Sequence, residues 1–232
     1  MSNDLPRDDA TAAASAAAWQ PARERVYSYV RDQILRGHAP GGSFIEEEQV
    51  STAVGVSRTP VREAFHRLEA ERFIDLLPRR GAMVRQVTVQ ELINVYETRV
   101  VIETHAARRL CQGRIPVPEE MAVLLAEMRR LPATDLLGHV ELNGAFHRAL
   151  VSAAGNEVLT ELYDSLRSRQ QRVAMTSVAT EPGRRQTILD EHGELLDALG
   201  SHDAEAAAAV LARHLRPVFE VVSRLPGYIP PT

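Results

Sequence analysis

The sequence predicts a mainly α chain: three helices and a β-hairpin near the N-terminus, then an all-α bundle of about six helices. Three observations carry that prediction. Apolar residues recur at helical spacing through most of the chain. Two β-prone runs, FIDLL and AMVRQV, flank a Pro-Arg-Arg-Gly turn at 78–81 and read as a hairpin. Glycine and proline clusters interrupt the helical pattern at intervals, and no strand pattern follows residue 89.

The elements follow in order. Residues 22–36 place Val26, Val30 and Ile34 on one helical face, and GHAPGG (37–42) stops that helix. Residues 46–54 form a short helix whose leading glutamates suit a helix N-terminus. Gly55-Val56-Ser57 is a tight turn; Thr59 is the expected N-cap, with Pro60 at the first helical position. The third helix runs to about Glu71, with Val61, Ala64, Phe65 and Leu68 as its apolar stripe. Three helices and a hairpin in this order make a winged helix-turn-helix. Further helices are expected near 89–112, 117–130, 134–154, 156–178, 183–200 and 203–225. The expected organisation is a disordered tail (1–20), a winged helix-turn-helix domain (21–87), an all-helical domain (89–225) and a short tail (226–232).

Composition narrows the function classes. A chain of 232 residues can build two modest cores. The single cysteine, Cys111, excludes an intrachain disulfide, and an intracellular, cytoplasmic protein is expected. No apolar run approaches a membrane span of roughly 18–20 residues, and the acidic start MSNDLPRDD does not read as a secretory leader. Net charge is −4 overall, yet residues 20–88 hold 11 Arg against 9 acids. The only net-basic segment is therefore the first folded one, a modest pointer to nucleic acid.

A helix-turn-helix presents the start of its second helix to base edges in the major groove. Here that start carries Arg58 and Arg62, able to form bidentate pairs with guanine. Ser57 and Thr59 offer hydroxyls to phosphate oxygens. Arg79 and Arg80 sit at the hairpin tip, where a wing enters the minor groove, and Gly81 permits the sharp turn. Periodicity alone fits a small helical domain with solvated arginines equally well.

The residues themselves add more. GVSRTPVREAFHRLEAERFIDLLPRRGAMV (55–84) closely resembles the helix-turn-helix and wing of the GntR family of bacterial regulators. The resemblance implies that Arg58, Thr59 and Arg62 meet DNA, with the wing around Arg79–Gly81, and that a homodimer binds a pseudo-palindromic operator. One position departs from the family pattern: an arginine is usual seven residues before the turn glycine, and here stands Glu48. Its carboxylate is expected to repel a nearby phosphate.

In the second half, Asn143 and His147 share a helix face at i, i+4, and His192 and His214 lie on two further helices. Three neutral imidazoles and an amide oxygen suit Zn²⁺, Ni²⁺ or a similar divalent ion. Spacing across separate helices does not establish convergence, and a lone histidine on an amphipathic helix is commonly a core residue. This half resembles the FCD ligand-binding domain of the FadR subfamily through Tyr96-Glu97-Thr98-Arg99, Glu103, Asn143-Gly144-Ala145-Phe146-His147, Glu191-His192 and His214-Leu215. The resemblance implies a divalent metal held by Asn143, His147, His192 and His214. It also places Arg99 near an effector pocket, where a guanidinium clamps a carboxylate. Arg99 could equally form an intrahelical ion pair with Glu103. A small organic-acid effector and a repressor are the expectation. A metal-dependent enzyme is the competing class, but the chain has no HExxH, GxSxG or phosphate loop, so no enzyme is expected.

Overall fold

The computed structural model describes residues 20–78, 80–181 and 183–229. Residues 1–19 of the expected tail, Arg79, and residues 230–232 lie outside them. The chain divides between Arg85 and Gln86 into two compact units.

The first unit is α1 (Ala22–Leu35), β1 (Phe44–Ile45), α2 (Glu47–Val54), α3 (Arg58–Ala70), β2 (Ile74–Leu77) and β3 (Gly81–Val84). The predicted stripe of α3 is the one buried: Val61, Ala64, Phe65 and Leu68 pack in the core with Val26, Val30, Phe73 and Ile74. Two local readings are corrected. Helix α3 begins at Arg58 with extended Ser57 as its N-cap, two positions before Thr59, so Pro60 is the third helical residue. The amides of the first four helical residues lack intrahelical partners, so proline is tolerated there too. In α1, Leu35 rather than Ile34 closes the buried face.

The hairpin is as read, with Leu77 opposite Gly81 and Ile74 opposite Val84. A third strand was not foreseen: β1 adds to the outer edge of β3, giving the order β1-β3-β2. Two residues are too few to show an alternating pattern. Gly81 has φ +87°, and a Cβ there would sit 3.3 Å from the Ile45 carbonyl oxygen. The turn and the close passage of β1 both favour glycine.

The second unit is helical throughout: α4 (Val89–Gly113), α5 (Glu119–Arg130), α6 (Leu136–Ala153), α7 (Glu157–Ser165), α8 (Arg167–Thr180), α9 (Arg184–Gly200), α10 (Ala204–His214) and the short α11 (Phe219–Val222). Thr88, Asp135, Asn156 and Asp203 cap α4, α6, α7 and α10 through their side chains. The predicted helix over 156–178 is two helices meeting at Leu166. No proline or glycine marks that break. The helix expected to reach 225 ends at His214, just before Pro217, whose ring cannot continue it. Leu110, Met121, Met128, Phe146, Leu150 and Leu195 form the centre of the core.

Phe146 has no exposed surface and stacks on the His192 ring at 4.1 Å between centroids. Phe146→Ala is expected to destabilise the helical unit by about 3–5 kcal/mol in denaturant unfolding. Val101→Ala, at a side chain 71% exposed, is expected to change it by less than about 0.5 kcal/mol.

Candidate functional sites

On the first unit, Arg58 and Arg62 stand one turn apart at the start of α3, and both side chains are more than half exposed. Ser57 and Thr59 are exposed beside them. Neither arginine is free. Arg58 Nη2 lies 3.2 Å from Glu48, and Arg62 Nε donates to both oxygens of Glu47 at 2.9 and 3.0 Å. Glu48, expected only to repel phosphate, also holds an arginine. The role of Glu47 was missed, because pairing across the turn depends on the angle between α2 and α3. At the other end of the motif, the Glu69 carboxylate accepts the Leu76 amide at 3.0 Å and ties α3 to the wing strand. The Arg80 amide closes the hairpin turn on the Leu77 carbonyl, and the Arg80 side chain is exposed.

In the second unit, α6, α9 and α10 bring His147, His192 and His214 together. Their candidate ligand nitrogens all lie within 4.8 Å of one another. The Nε2 atom of His147 is 3.1 Å from that of His192 and 3.1 Å from that of His214. All three rings are buried. Two carboxylates stand behind them. Glu191 Oε2 accepts from His214 Nδ1 at 2.8 Å. Glu103 Oε2 lies 2.7 Å from His147 Nδ1, off the line of the ring N–H, so this contact is electrostatic more than a formed hydrogen bond.

Carboxylates at Nδ1 keep the ring proton on that side, which leaves Nε2 lone pairs facing one another. Lone pairs at such a distance repel unless a cation lies between them. Nitrogens that share a divalent ion at about 2.0–2.1 Å each are about 2.9–3.4 Å apart, so the donor set fits such an ion. Burial pushes all three imidazoles below their ordinary pKa, His192 and His214 furthest, and this favours the neutral, ligating form. Asn143 lies one turn before His147, and its amide oxygen is buried without a hydrogen-bond partner among the described residues. It is therefore available as a further donor.

Arg99 has a divided role. Its Nε donates to Glu103 Oε1 at 2.7 Å, so the intrahelical pair exists. Its Nη2 is buried with no partner among the described residues. It lines a cavity of about 180 Å³ with Asn143, Tyr163, Arg167, Gln170 and Gln171. Tyr163 donates to Glu103 at 2.7 Å. Burial alone would raise the Glu103 carboxyl, but Arg99, His147 and Tyr163 outweigh it and hold that carboxyl far below the usual carboxylate range. Spacing gave no signal for Tyr163 or for His139. His139 is fully buried one turn before Asn143, with neither ring nitrogen partnered among the described residues. Burial, and secondarily Arg185, lowers its pKa to about 4.

Comparison with known proteins agrees with both halves. Residues 22–84 match the bacterial regulatory proteins of the gntR family, and residues 94–217 match the FCD domain. The HTH-type transcriptional repressor RspR of Escherichia coli K12 is 26% identical over 213 residues, covering 89% of this chain and 91% of RspR. An HTH-type transcriptional regulator from the TAR-I ttuE-ttuC' intergenic region of Agrobacterium vitis is 31% identical over 134 residues, covering 56% and 78%. A crystal structure of a GntR transcriptional regulator from Rhodococcus sp. RHA1 superposes with a TM-score of 0.69 at 27% identity, covering 83% of this chain and 93% of that one. An arginine-bearing helix-turn-helix, its wing and an FCD-type helical bundle thus occur in one polypeptide, and the chain belongs to the GntR family of bacterial transcription regulators, with a C-terminal FCD domain.

Proposed function

We propose that this regulator is a homodimeric repressor whose operator binding responds to a small organic acid bound beside a divalent metal. Convergence of His147, His192 and His214 from three helices, two of them backed by carboxylates, is the observation that carries this reading. Arg58 and Arg62 read base edges, Ser57 and Thr59 hold phosphates, and the turn at Arg79, Arg80 and Gly81 enters the minor groove. In a symmetric dimer, two such helices reach successive major grooves about one helical turn apart.

His147, His192, His214 and Asn143 would hold the ion, with Zn²⁺ or Ni²⁺ suited to the donors. When bound, the ion supplies open positions for oxygen atoms of a carboxylate. Glu103 and Glu191 orient their rings, and Arg99 offers its free edge to the acid. A coupling of about 1–3 kcal/mol between acid and operator suffices for regulation. The test is fluorescence anisotropy of the full chain on DNA from its own upstream region, with nonspecific competitor, with and without added Zn²⁺ or Ni²⁺. Specific binding that organic acids release supports the reading; binding indifferent to metal and to every acid overturns the sensing half.

Arg62→Ala is expected to weaken operator binding by about 1–3 kcal/mol; unchanged affinity would remove its base-reading role. Glu48→Gln is expected to tighten the same complex about two- to fivefold, because an exposed pair of this kind is worth about 0–1 kcal/mol. His192→Ala is expected to lose stoichiometric metal by elemental analysis after dialysis. Wild-type protein is expected to retain metal near neutral pH and release it on acidification towards about pH 4–5, because protons compete for the ligating lone pairs. Metal retained by His192→Ala, or at low pH, would exclude the ligand set.

A further inference from the structure

Helix α10 ends at His214, and Pro217 prevents its continuation. The chain then crosses the helical unit as a strap over residues 215–228, held at both ends. At its origin, the His214 carbonyl accepts from Arg184 of α9, and the His214 ring donates to Glu191 of the same helix. Towards its far end, the Arg224 guanidinium donates to the Thr180 carbonyl that closes α8, at 3.4 Å. Two residues on, the Pro226 carbonyl accepts the Val89 amide at 3.2 Å.

The last of these contacts completes a helix. Val89 is the first residue of α4, and the first amides of a helix have no partner within it. Thr88 serves the Glu91 amide with its side chain, and the strap serves Val89. Between its anchors the strap buries Val221, 1% exposed, among Leu92, Val95 and Tyr96 of α4 and Val173 of α8. Val87 packs against the same cluster, next to Gln86, where the helical unit begins. This cluster is distinct from the larger core around Phe146 and Leu150. A small, separate cluster can open without unfolding the rest.

We infer that the strap is a latch that couples the end of α10 to the first turn of α4. Fixing His214 seats Val221 and Pro226, and their seating orders the residues through which the chain enters the helical unit. Ligation at His214, the reading above on which this half rests, removes motion from the strap's origin; the link from strap to α4 stands without it. A different path from the histidines, through Glu103 to Arg99, enters α4 about three turns beyond Val89. The two paths are separable because only one passes through Val221.

The experiment is hydrogen–deuterium exchange of the full chain, metal-free and with Zn²⁺, for wild type and Val221→Ala. The substitution is expected to speed exchange about tenfold or more over 216–226 and over 87–92 together, with α5 and the centre of α6 unchanged. Leu225→Ala, at a partly buried position of the same cluster, carries the test if Val221→Ala folds poorly. Zn²⁺ is expected to slow both segments in wild type. In the variant it is expected to protect the surroundings of His147 and His192 but no longer 87–92. Faster exchange confined to 216–226 would overturn the latch. Full Zn²⁺ protection of 87–92 in the variant would overturn it too, and assign the coupling to the Glu103 path. Absence of Zn²⁺ protection around His147 and His192 would instead remove the metal reading and the His214 half with it, while the metal-free comparison still decides the link between strap and α4.

Discussion

The helical unit is organised around one buried carboxylate. Glu103 has no exposed surface, yet it is charged, and it meets Arg99, Tyr163 and His147 from three helices. A charge buried this deeply persists only when its partners outweigh the lost hydration. That requirement fixes the rotation of α6 about its axis, since His147 must face α4. It also fixes the position of Tyr163 at the end of α7. Removing one partner leaves an uncompensated charge in the core, which typically costs about 3–5 kcal/mol. The geometry of the histidine cluster is thus inherited from an ion-pair network that does not itself require a metal.

The same network explains why Arg99 admitted two readings. A guanidinium has donors on more than one edge. Glu103 takes Nε, and Nη2 remains for the cavity. The internal pair holds the head group in place, so a ligand meets an ordered donor and loses less conformational entropy on binding. The contact that anchors this side chain and the donor it leaves unused lie on different atoms.

Much of this was legible in the sequence. The stripe of α3, the hairpin and the separate placement of the three histidines all follow from local period and turn chemistry. The motif over residues 55–84 carried the resemblance to the family that the comparisons show. What was not legible depends on angles between elements. Glu191 is adjacent to His192 in sequence but serves His214, because neighbouring helical residues point about 100° apart. Glu47 reaches Arg62 across a turn, and Tyr163 reaches Glu103 across sixty positions. The break at Leu166 carries no glycine or proline. Strand β1 is too short to show a period. Sequence pattern reports what a residue does within its own element, and the second-layer carboxylates belong to the packing between elements.

The glutamates beside Arg58 and Arg62 alter how this protein's contacts with a polyanion would be counted. Glu47 and Glu48 act as built-in counterions for Arg62 and Arg58. When phosphate or a base replaces them, the guanidinium exchanges one fixed anion for another, and the freed carboxylate recruits a cation from solution. The entropy gained by releasing condensed ions from DNA is partly returned in that recruitment. The number of arginines at the interface would therefore exceed the number inferred from ionic-strength dependence, and the shortfall would measure how many of them arrive already neutralised.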